Sequence, residues 1–304
     1  MATNDPLASK QAWYKNAIDL DRLGDEYSGA GIRIGIYDDG IQVNHADLAG
    51  NYDASLEVKI SGVTASPLVG THGTAVAGII AGVADNGIGG YGIAYDSTIT
   101  GVSIFGGAAS GSGMISAIQQ MAKFDLTNNS WNWTDIYADA VNAGFGKQFN
   151  AALELAVDTG RGGLGTLIVN SAGNDWVKDT RDANTSGFDA TRFTITTGAV
   201  ADNGFVSSYS NRGANILVSA PSSGGSKGVT TTDIEGEQAG EGGLGLARMA
   251  RRLCRVQVRY IANGDQADHA HPIVGLALEP VDTGLVEGDG QLFVDLADEG
   301  CGAF

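Results

Sequence analysis

The chain has 304 residues, of which 43% are hydrophobic, so it is long enough and apolar enough to bury a sizeable core. Its formal net charge of −17 argues against nucleic acids and anionic membranes as partners, because their phosphates would repel it. No stretch is apolar over the length that spans a bilayer, and no secretory signal is visible at the start.

Apolar runs typical of buried strands alternate along the chain with segments of helical period. The predicted strands cover 32–37, 98–105, 126–131, 166–173, 193–200 and 214–221, and the predicted helices cover 74–82, 112–124 and 145–160. Near-continuous apolar strands between helices predict an α/β fold with a mostly parallel central sheet covered on both faces. In such sheets, functional side chains gather at the carboxyl ends of the strands.

The composition changes near Gly240. Residues 227–304 contain no serine, five arginines cluster within 248–259, and both cysteines, Cys254 and Cys301, lie in this region. An arginine cluster can be a binding arm, but the joint loss of serine and lysine better fits a shifted reading frame or a fused fragment. The predicted regions are therefore a domain over 1–240 and an atypical tail over 241–304.

Three polar stretches follow apolar strands or open a helix. Asp38 and Asp39 end the first strand in "YDDGI", and adjacent acids there need partners such as an imidazole. His72 opens the helix in "THGTAVAG", and Asn174 follows a glycine in "VNSAGND". An exposed amide at such a turn can donate a hydrogen bond to an oxyanion. Taken singly, each is also explained by an ordinary turn or a structural histidine.

In this order the stretches resemble the subtilisin-like serine proteases, and within them the kexin/furin branch. Further matches are "NHADLAGNYD", "DNGIGGYGIAY", "NSW", "GRGGLGTLIVNSAGN" and "YSNRG…VTTTD", so the resemblance covers about residues 5–240. It implies a three-layer αβα fold, with its C-terminal part incomplete here, and peptide-bond hydrolysis through an acyl-enzyme. Asp38 would orient His72, His72 would act as general base and then general acid, and Asn174 would stabilise the oxyanion.

The resemblance also implies contacts with a polypeptide substrate. Asp39 would lie beside the substrate, and the backbone of Ser130, Trp131 and Asn132 would pair with it as an added strand. Asp135 matches an acidic position near the primary specificity pocket or a second calcium site. Ser186 and Val69 stand where kexin/furin enzymes carry acids, so strict specificity for paired basic residues is not implied.

Calcium is the implied cofactor, and its ligands would come from one loop after the His72 helix and from two other segments. Oxygen-only ligands suit the variable coordination of this ion. The implied ligands are the side chains of Asp5, Asp47 and Asn86 and the carbonyls of Val83, Ile88 and Gly90. The family further implies an extracellular monomer.

The family's nucleophile lies in a Gly-Thr-Ser-x-Ala motif that should come shortly after "VTTTDIEGEQAG", but "EGGLGLARMARRLCRVQVRY" follows instead. Cys254 is the nearby nucleophile type, and its arginine neighbours lack the small residues of a tight helix-opening turn. We therefore expect a serine endopeptidase domain that is inactive as written. One alternative is a non-catalytic peptide-binding protein. The other is an unrelated doubly wound protein with Asp38, His72 and Asn174 far apart.

Overall fold

The computed structural model describes residues 3–60, 69–105, 111–133 and 135–235. Its helices are α1 (Ala8–Ala17), α2 (Thr71–Ala81), α3 (Gly111–Gln119), α4 (Gly144–Thr159), α5 (Trp176–Asp179) and α6 (Gly187–Ala190). Its strands are β1 (Arg33–Asp38), β2 (Thr98–Ser103), β3 (Leu126–Asn129), β4 (Leu167–Ser171), β5 (Thr194–Val200) and β6 (Ile216–Pro221). The predicted boundary near Gly240 and the tail with Cys254 and Cys301 lie outside the described residues.

The six strands form one parallel sheet in the order β2-β1-β3-β4-β5-β6. In register, Asp38 of β1 lies beside Ser103 of β2, and Asn129 of β3 lies beside Asn170 of β4. All the strands therefore end at the same edge of the sheet. Since β3 separates β1 from β4, the ends of those two strands are about 10 Å apart, which is two strand spacings.

Each face of the sheet is covered by its own hydrophobic core. Alternate residues of β1 serve the two faces, since Ile36 packs with the small residues of α2 while Tyr37 packs with α3 and α4. Helix α2 is buried almost all round, as its uncharged sequence predicts. The second core includes Phe149 of α4 and Phe124, whose ring fills the space beside Gly35. The predicted αβα layering is thus present.

The predicted elements match the observed ones except near their ends. The predicted helix over 112–124 is α3 followed by a 3₁₀ turn over Gln120–Lys123. The predicted strand over 126–131 stops at Asn129, and beyond it Trp131 packs its indole into the aromatic core. Among the described residues, no helix is both long and apolar enough to cross a membrane.

Candidate active site

Asp38 and His72 meet where β1 ends and α2 begins. The Nδ1 atom of the His72 ring lies 2.7 Å from Asp38 Oδ1. Asp38 is 1% exposed, whereas the His72 side chain is 24% exposed, so the ring is backed by a buried carboxylate and reaches solvent. A carboxylate that binds Nδ1 fixes the imidazole ring and leaves Nε2 to exchange a proton with another group. The two residues that the sequence analysis paired are therefore in contact.

The close approach of α2 to the end of β1 depends on Gly73. A Cβ at this position would lie 2.1 Å from the carbonyl oxygen of Gly40 and 3.1 Å from Asp38 Cβ. Any larger residue would push the helix away from the strand. The glycine after His72 is thus what brings the imidazole within hydrogen-bond distance of Asp38.

Asp39 has a different environment from that of its neighbour. Its carboxylate accepts hydrogen bonds from the backbone N–H groups of His72, at 3.1 Å, and Gly73, at 2.7 Å. Burial raises the pKa of Asp39, the Gly73 hydrogen bond lowers it, and the nearby Asp38 charge raises it. The predicted contact of Asp39 with a substrate remains a prediction; its observed contacts are with the first turn of α2.

Asn174 lies on the turn that follows β4. Gly173, with φ of +94°, makes the turn, in a conformation that favours glycine. Asn211 fixes it from the side, since its N–H donates to Gly173 O at 3.0 Å and its Oδ1 accepts from Asp175 N at 2.8 Å. Asn174 is exposed at the same edge of the sheet as His72. Asn174 thus follows the carboxyl end of β4, one strand beyond the neighbour of β1, and its contact with an oxyanion remains a prediction.

The segment of Ser130, Trp131 and Asn132 continues from β3 at this edge. The Trp131 side chain is 6% exposed and stacks on Phe188 with ring centroids 4.9 Å apart. The Asn132 side chain donates to Asp189 Oδ2 at 2.6 Å. The Trp131 side chain is therefore buried and the half-buried Asn132 side chain is bound to Asp189, which leaves their backbone for pairing with a peptide.

The remaining predicted specificity positions differ in their exposure to solvent. Asp135 and Val69 are exposed. Ser186 is buried, where its hydroxyl donates to Asp139 Oδ2 at 3.3 Å and accepts from the N–H of Asp189. The hydroxyl of Ser186 is thus turned to Asp139 and to the start of α6.

Two buried acids near this segment, Asp139 and Asp189, were not predicted from the sequence. Asp139 is 1% exposed and accepts from the N–H groups of Gly187, at 2.8 Å, and Phe188, at 2.6 Å, at the start of α6. Asp189 is 2% exposed. The pattern "SGFD" does carry a signal for the local structure, because a serine followed three residues later by an acid is typical of a helix start. It gives no sign that the Asp189 carboxylate contacts Asn132.

The candidate calcium ligands Asp5, Asp47 and Asn86 come together around the loop after α2. Asp5 accepts from the N–H groups of Asp85, Asn86 and Gly87 at 3.0 to 3.2 Å. Asn86 Nδ2 donates to Asp47 Oδ1 at 2.8 Å. Burial raises the pKa of Asp47 to about 6, although the Asn86 and Gly90 hydrogen bonds lower it, and the charges of Asp5 and Glu235 raise it further.

The donor chemistry of this loop fits a hard cation. Within the described ranges, no three His, Cys, Asp or Glu side chains come close enough together to hold a metal. A site here therefore needs amide and carbonyl oxygens besides carboxylates, and Val83, Ile88 and Gly90 lie on the same loop. Gly89 leaves room for the Asp47 carboxylate, because a Cβ there would lie 2.4 Å from Asp47 Oδ2.

A model of the Peptidase S8 subtilase family matches residues 29–245, more than half of the chain. The chain belongs to the subtilase family. Membership confirms the predicted family and excludes an unrelated doubly wound protein.

This subtilase also has curated relatives of the furin and convertase type. It is 32% identical over 249 residues to furin-like protease 2 from Drosophila melanogaster, covering 76% of this chain and 15% of that protein. It is 31% identical over 269 residues to neuroendocrine convertase 2 from Homo sapiens, covering 77% of this chain and 40% of that protein. The subtilase chain thus spans less than half the length of these relatives.

Solved structures confirm the subtilisin-like fold. The serine protease of Aeromonas sobria, in complex with its chaperone, has a TM-score of 0.66 at 23% identity, covering 77% of this chain and 46% of that one. A cold-adapted subtilisin-like serine proteinase has a TM-score of 0.53 at 20% identity, covering 80% of each chain. At these identities the likeness concerns the fold of the subtilase alone.

Proposed function

We propose that the chain is a calcium-binding serine endopeptidase domain acting on polypeptides, in which Asp38 orients His72 and Asn174 stabilises the oxyanion. The observation that carries this proposal is the 2.7 Å contact between the buried Asp38 carboxylate and the half-buried His72 ring. Asp38 holds the Nδ1–H tautomer and stabilises the imidazolium that forms when Nε2 takes a proton. Asn174, on the turn after β4, offers an amide donor to the developing negative charge.

The residues that would hold calcium are Asp5, Asp47, Asn86, Val83, Ile88 and Gly90. Bound calcium would neutralise the two carboxylates and tie the N-terminal segment to the loop after α2. The buried position of Asp47 next to a second acid supports this, because two such carboxylates need a compensating cation. The Asn86 amide turns its nitrogen toward Asp47, so its oxygen would face the ion after a rotation of that amide.

We further propose that the chain as written does not hydrolyse peptides by itself. Its residues 227–304 contain no serine, and the family's Gly-Thr-Ser motif is absent from the place where the resemblance puts it. Loss of the serine or the histidine lowers the kcat of subtilisin by roughly a millionfold. The acidic composition suits a solvated extracellular surface, and the family resemblance implies a monomer that acts outside the cell.

A fluorophosphonate probe, which reacts with an activated serine, tests both parts of this proposal. The full chain should not be labelled, and stoichiometric labelling would overturn its inactivity. A hybrid in which residues 236–304 are replaced by the corresponding segment of neuroendocrine convertase 2 should be labelled. His72→Ala in that hybrid is the matched control and should abolish labelling. A folded hybrid that reacts equally with and without His72 would contradict the assigned roles.

Peptide binding without cleavage is a second candidate function. It is favoured by the inward-turned side chains of Trp131 and Asn132, which leave a backbone edge beside the exposed Asn174 turn. Main-chain pairing with an extended peptide needs only such an edge. Titration of the full chain with fluorescein-labelled oxidised insulin B chain, followed by anisotropy, tests it. Saturable binding with an intact peptide supports this function, and no binding rejects it.

A further inference from the structure

The carboxylate of Asp189 joins two adjacent strands of the sheet at their carboxyl ends. Its Oδ2 accepts from Asn132 Nδ2 at 2.6 Å, just beyond β3. Its Oδ1 accepts from the side-chain amide of Asn170, within β4. Asn170 and Asp189 are 0% and 2% exposed, so the contact between them is shielded from water. When this carboxyl is ionised, hydrogen bonds to it are stronger than those between neutral groups.

The backbone of Asp189 extends the same connection to the other side of the sheet. Its carbonyl oxygen accepts from Thr196 Oγ1 of β5 at 2.7 Å and from Asn215 Nδ2 at 2.9 Å. Its N–H donates to Ser186 Oγ at 3.3 Å, at the start of α6. Asp189 is therefore fixed in place by groups on three sides, and its carboxylate is a rigid reference point for Asn132.

Asn132 lies between the two segments that border the predicted peptide site. Its Oδ1 accepts from Trp133 N at 2.8 Å, which fixes the direction of the chain after β3. A Cβ at Gly173 would lie 3.4 Å from Asn132 Nδ2, so the amide lies beside the turn before Asn174. The Asn132 side chain is thus next to both the 130–132 edge and that turn.

We propose that Asp189 is a positioning residue of the peptide cleft, which acts through Asn132 to hold the 130–132 edge at a fixed distance from the Asn174 turn. This inference rests on the proposed function, because an extended peptide would have to reach the edge and the turn together. Without the carboxylate, the amides of Asn132 and Asn170 would lose buried partners and would adopt other orientations.

The ionisation of Asp189 supplies a second readout. Burial raises the pKa of Asp189 to about 8, the Asn132 hydrogen bond lowers it, the charge of Asp139 raises it and the Asn170 hydrogen bond lowers it. The protonated carboxyl carries a donor, which competes with one of the two amide N–H groups. Above pH 8 both carboxylate oxygens accept, so the hydrogen bond from Asn132 should become stronger as the pH rises from 7 to 9.

Peptide affinity of the full chain tests the proposal, with the labelled insulin B chain as the probe. Asp189→Ala should weaken binding at least tenfold, and Asp189→Asn should bind with no change in affinity between pH 7 and 9. The matched control is Thr166→Val, which removes a buried hydroxyl that donates to Phe124 O at 2.8 Å at the opposite end of β4. It should change affinity by less than twofold. Unchanged affinity in Asp189→Ala would overturn the proposal.

Hydrogen exchange on the free chain separates this proposal from the proposed function, because it needs no peptide. The backbone N–H groups of 130–133 and 172–174 should exchange at least tenfold faster in Asp189→Ala than in the parent, and Thr166→Val should leave them unchanged. If the parent chain binds no peptide, the peptide-binding function fails while exchange still decides the role of Asp189. If the N–H groups of these segments exchange at the same rate in the parent, in Asp189→Asn and in Asp189→Ala, Asp189 is not a positioning residue.

Discussion

Asp39 caps the helix that carries His72, because its carboxylate accepts from the backbone N–H groups of His72 and Gly73. A helix start normally finds this partner in the side chain of its own N-cap residue. Here the N-cap residue is Gly70, which has no side chain, and a Cβ at that position would lie 2.0 Å from Asp39 Oδ1. Of the two acids after β1, Asp38 therefore binds the imidazole ring and Asp39 binds the helix backbone.

Asp39→Ala should lower the free energy of unfolding by about 1–2 kcal/mol, the usual cost of losing a helix cap. Urea denaturation followed by circular dichroism measures it. Asp39→Asn is the comparison variant, because its side-chain oxygen can still accept from the backbone N–H of Gly73. It should lose less stability than Asp39→Ala, and equal losses in the two variants would show that capping is not the role of Asp39.

Gly73→Ala should separate His72 from Asp38, since the added methyl would overlap the carbonyl of Gly40. We expect a loss of at least about 2 kcal/mol, in the range of overpacking substitutions. The downfield NMR signal of a proton on Nδ1 of His72 should also disappear. Gly111→Ala is the control, because the contacts found for its Cβ are with the Phe145 ring at 3.3 Å or more. A retained Nδ1 proton signal in Gly73→Ala would show that His72 can reach Asp38 without a glycine at position 73.

The contacts that sequence could predict are those that local pattern determines. Apolar strands ending in polar residues placed Asp38 and Asn174 at one edge of a parallel sheet, and a charge-free run predicted the buried α2. The partners of Asp39 and Asp189 could not be found in this way. Their carboxylates bind groups 33 or more residues away, or an amide on another strand, and such pairings exist only once the sheet order is set. Trp131 matched a substrate-binding motif, but its side chain belongs to the aromatic core.

Lys15 of α1 should make stability depend on pH. Its Nζ is buried and donates to Gln11 Oε1 at 2.8 Å and Tyr91 O at 2.7 Å. Burial lowers the pKa of Lys15 to about 6, although Asp5 and Asp21 raise it. The unfolded chain therefore binds a proton that the folded one does not, between about pH 6 and the ordinary lysine pKa near 10.4. The stabilisation present at high pH is lost as the pH falls through this range.

Lys15→Met should flatten that dependence. Denaturation by urea at pH 6.5, 8 and 9.5 should show a smaller fall in unfolding free energy toward low pH than in the parent chain. The exposed Lys10 on the same helix provides the control, and Lys10→Met should keep the slope of the parent. Parallel curves for Lys15→Met and the parent would mean that Lys15 is charged in the folded protein.

Calcium should stabilise the fold through the loop that joins Asp5, Asp47 and Asn86. A ligand at a hundred times its Kd adds about 2.7 kcal/mol, which corresponds to a rise of roughly 5–10 °C in Tm for a domain of this size. Thermal unfolding in 1 mM CaCl₂ and in EGTA measures the difference. Asp47→Asn removes one buried charge and should abolish most of the shift, whereas Asp96→Asn, at an exposed site, should retain it.

Magnesium should give a smaller shift in Tm than calcium, because it demands a tighter octahedral geometry. Equal Tm values in CaCl₂ and EGTA would rule out a stabilising calcium site, and an undiminished shift in Asp47→Asn would place it elsewhere.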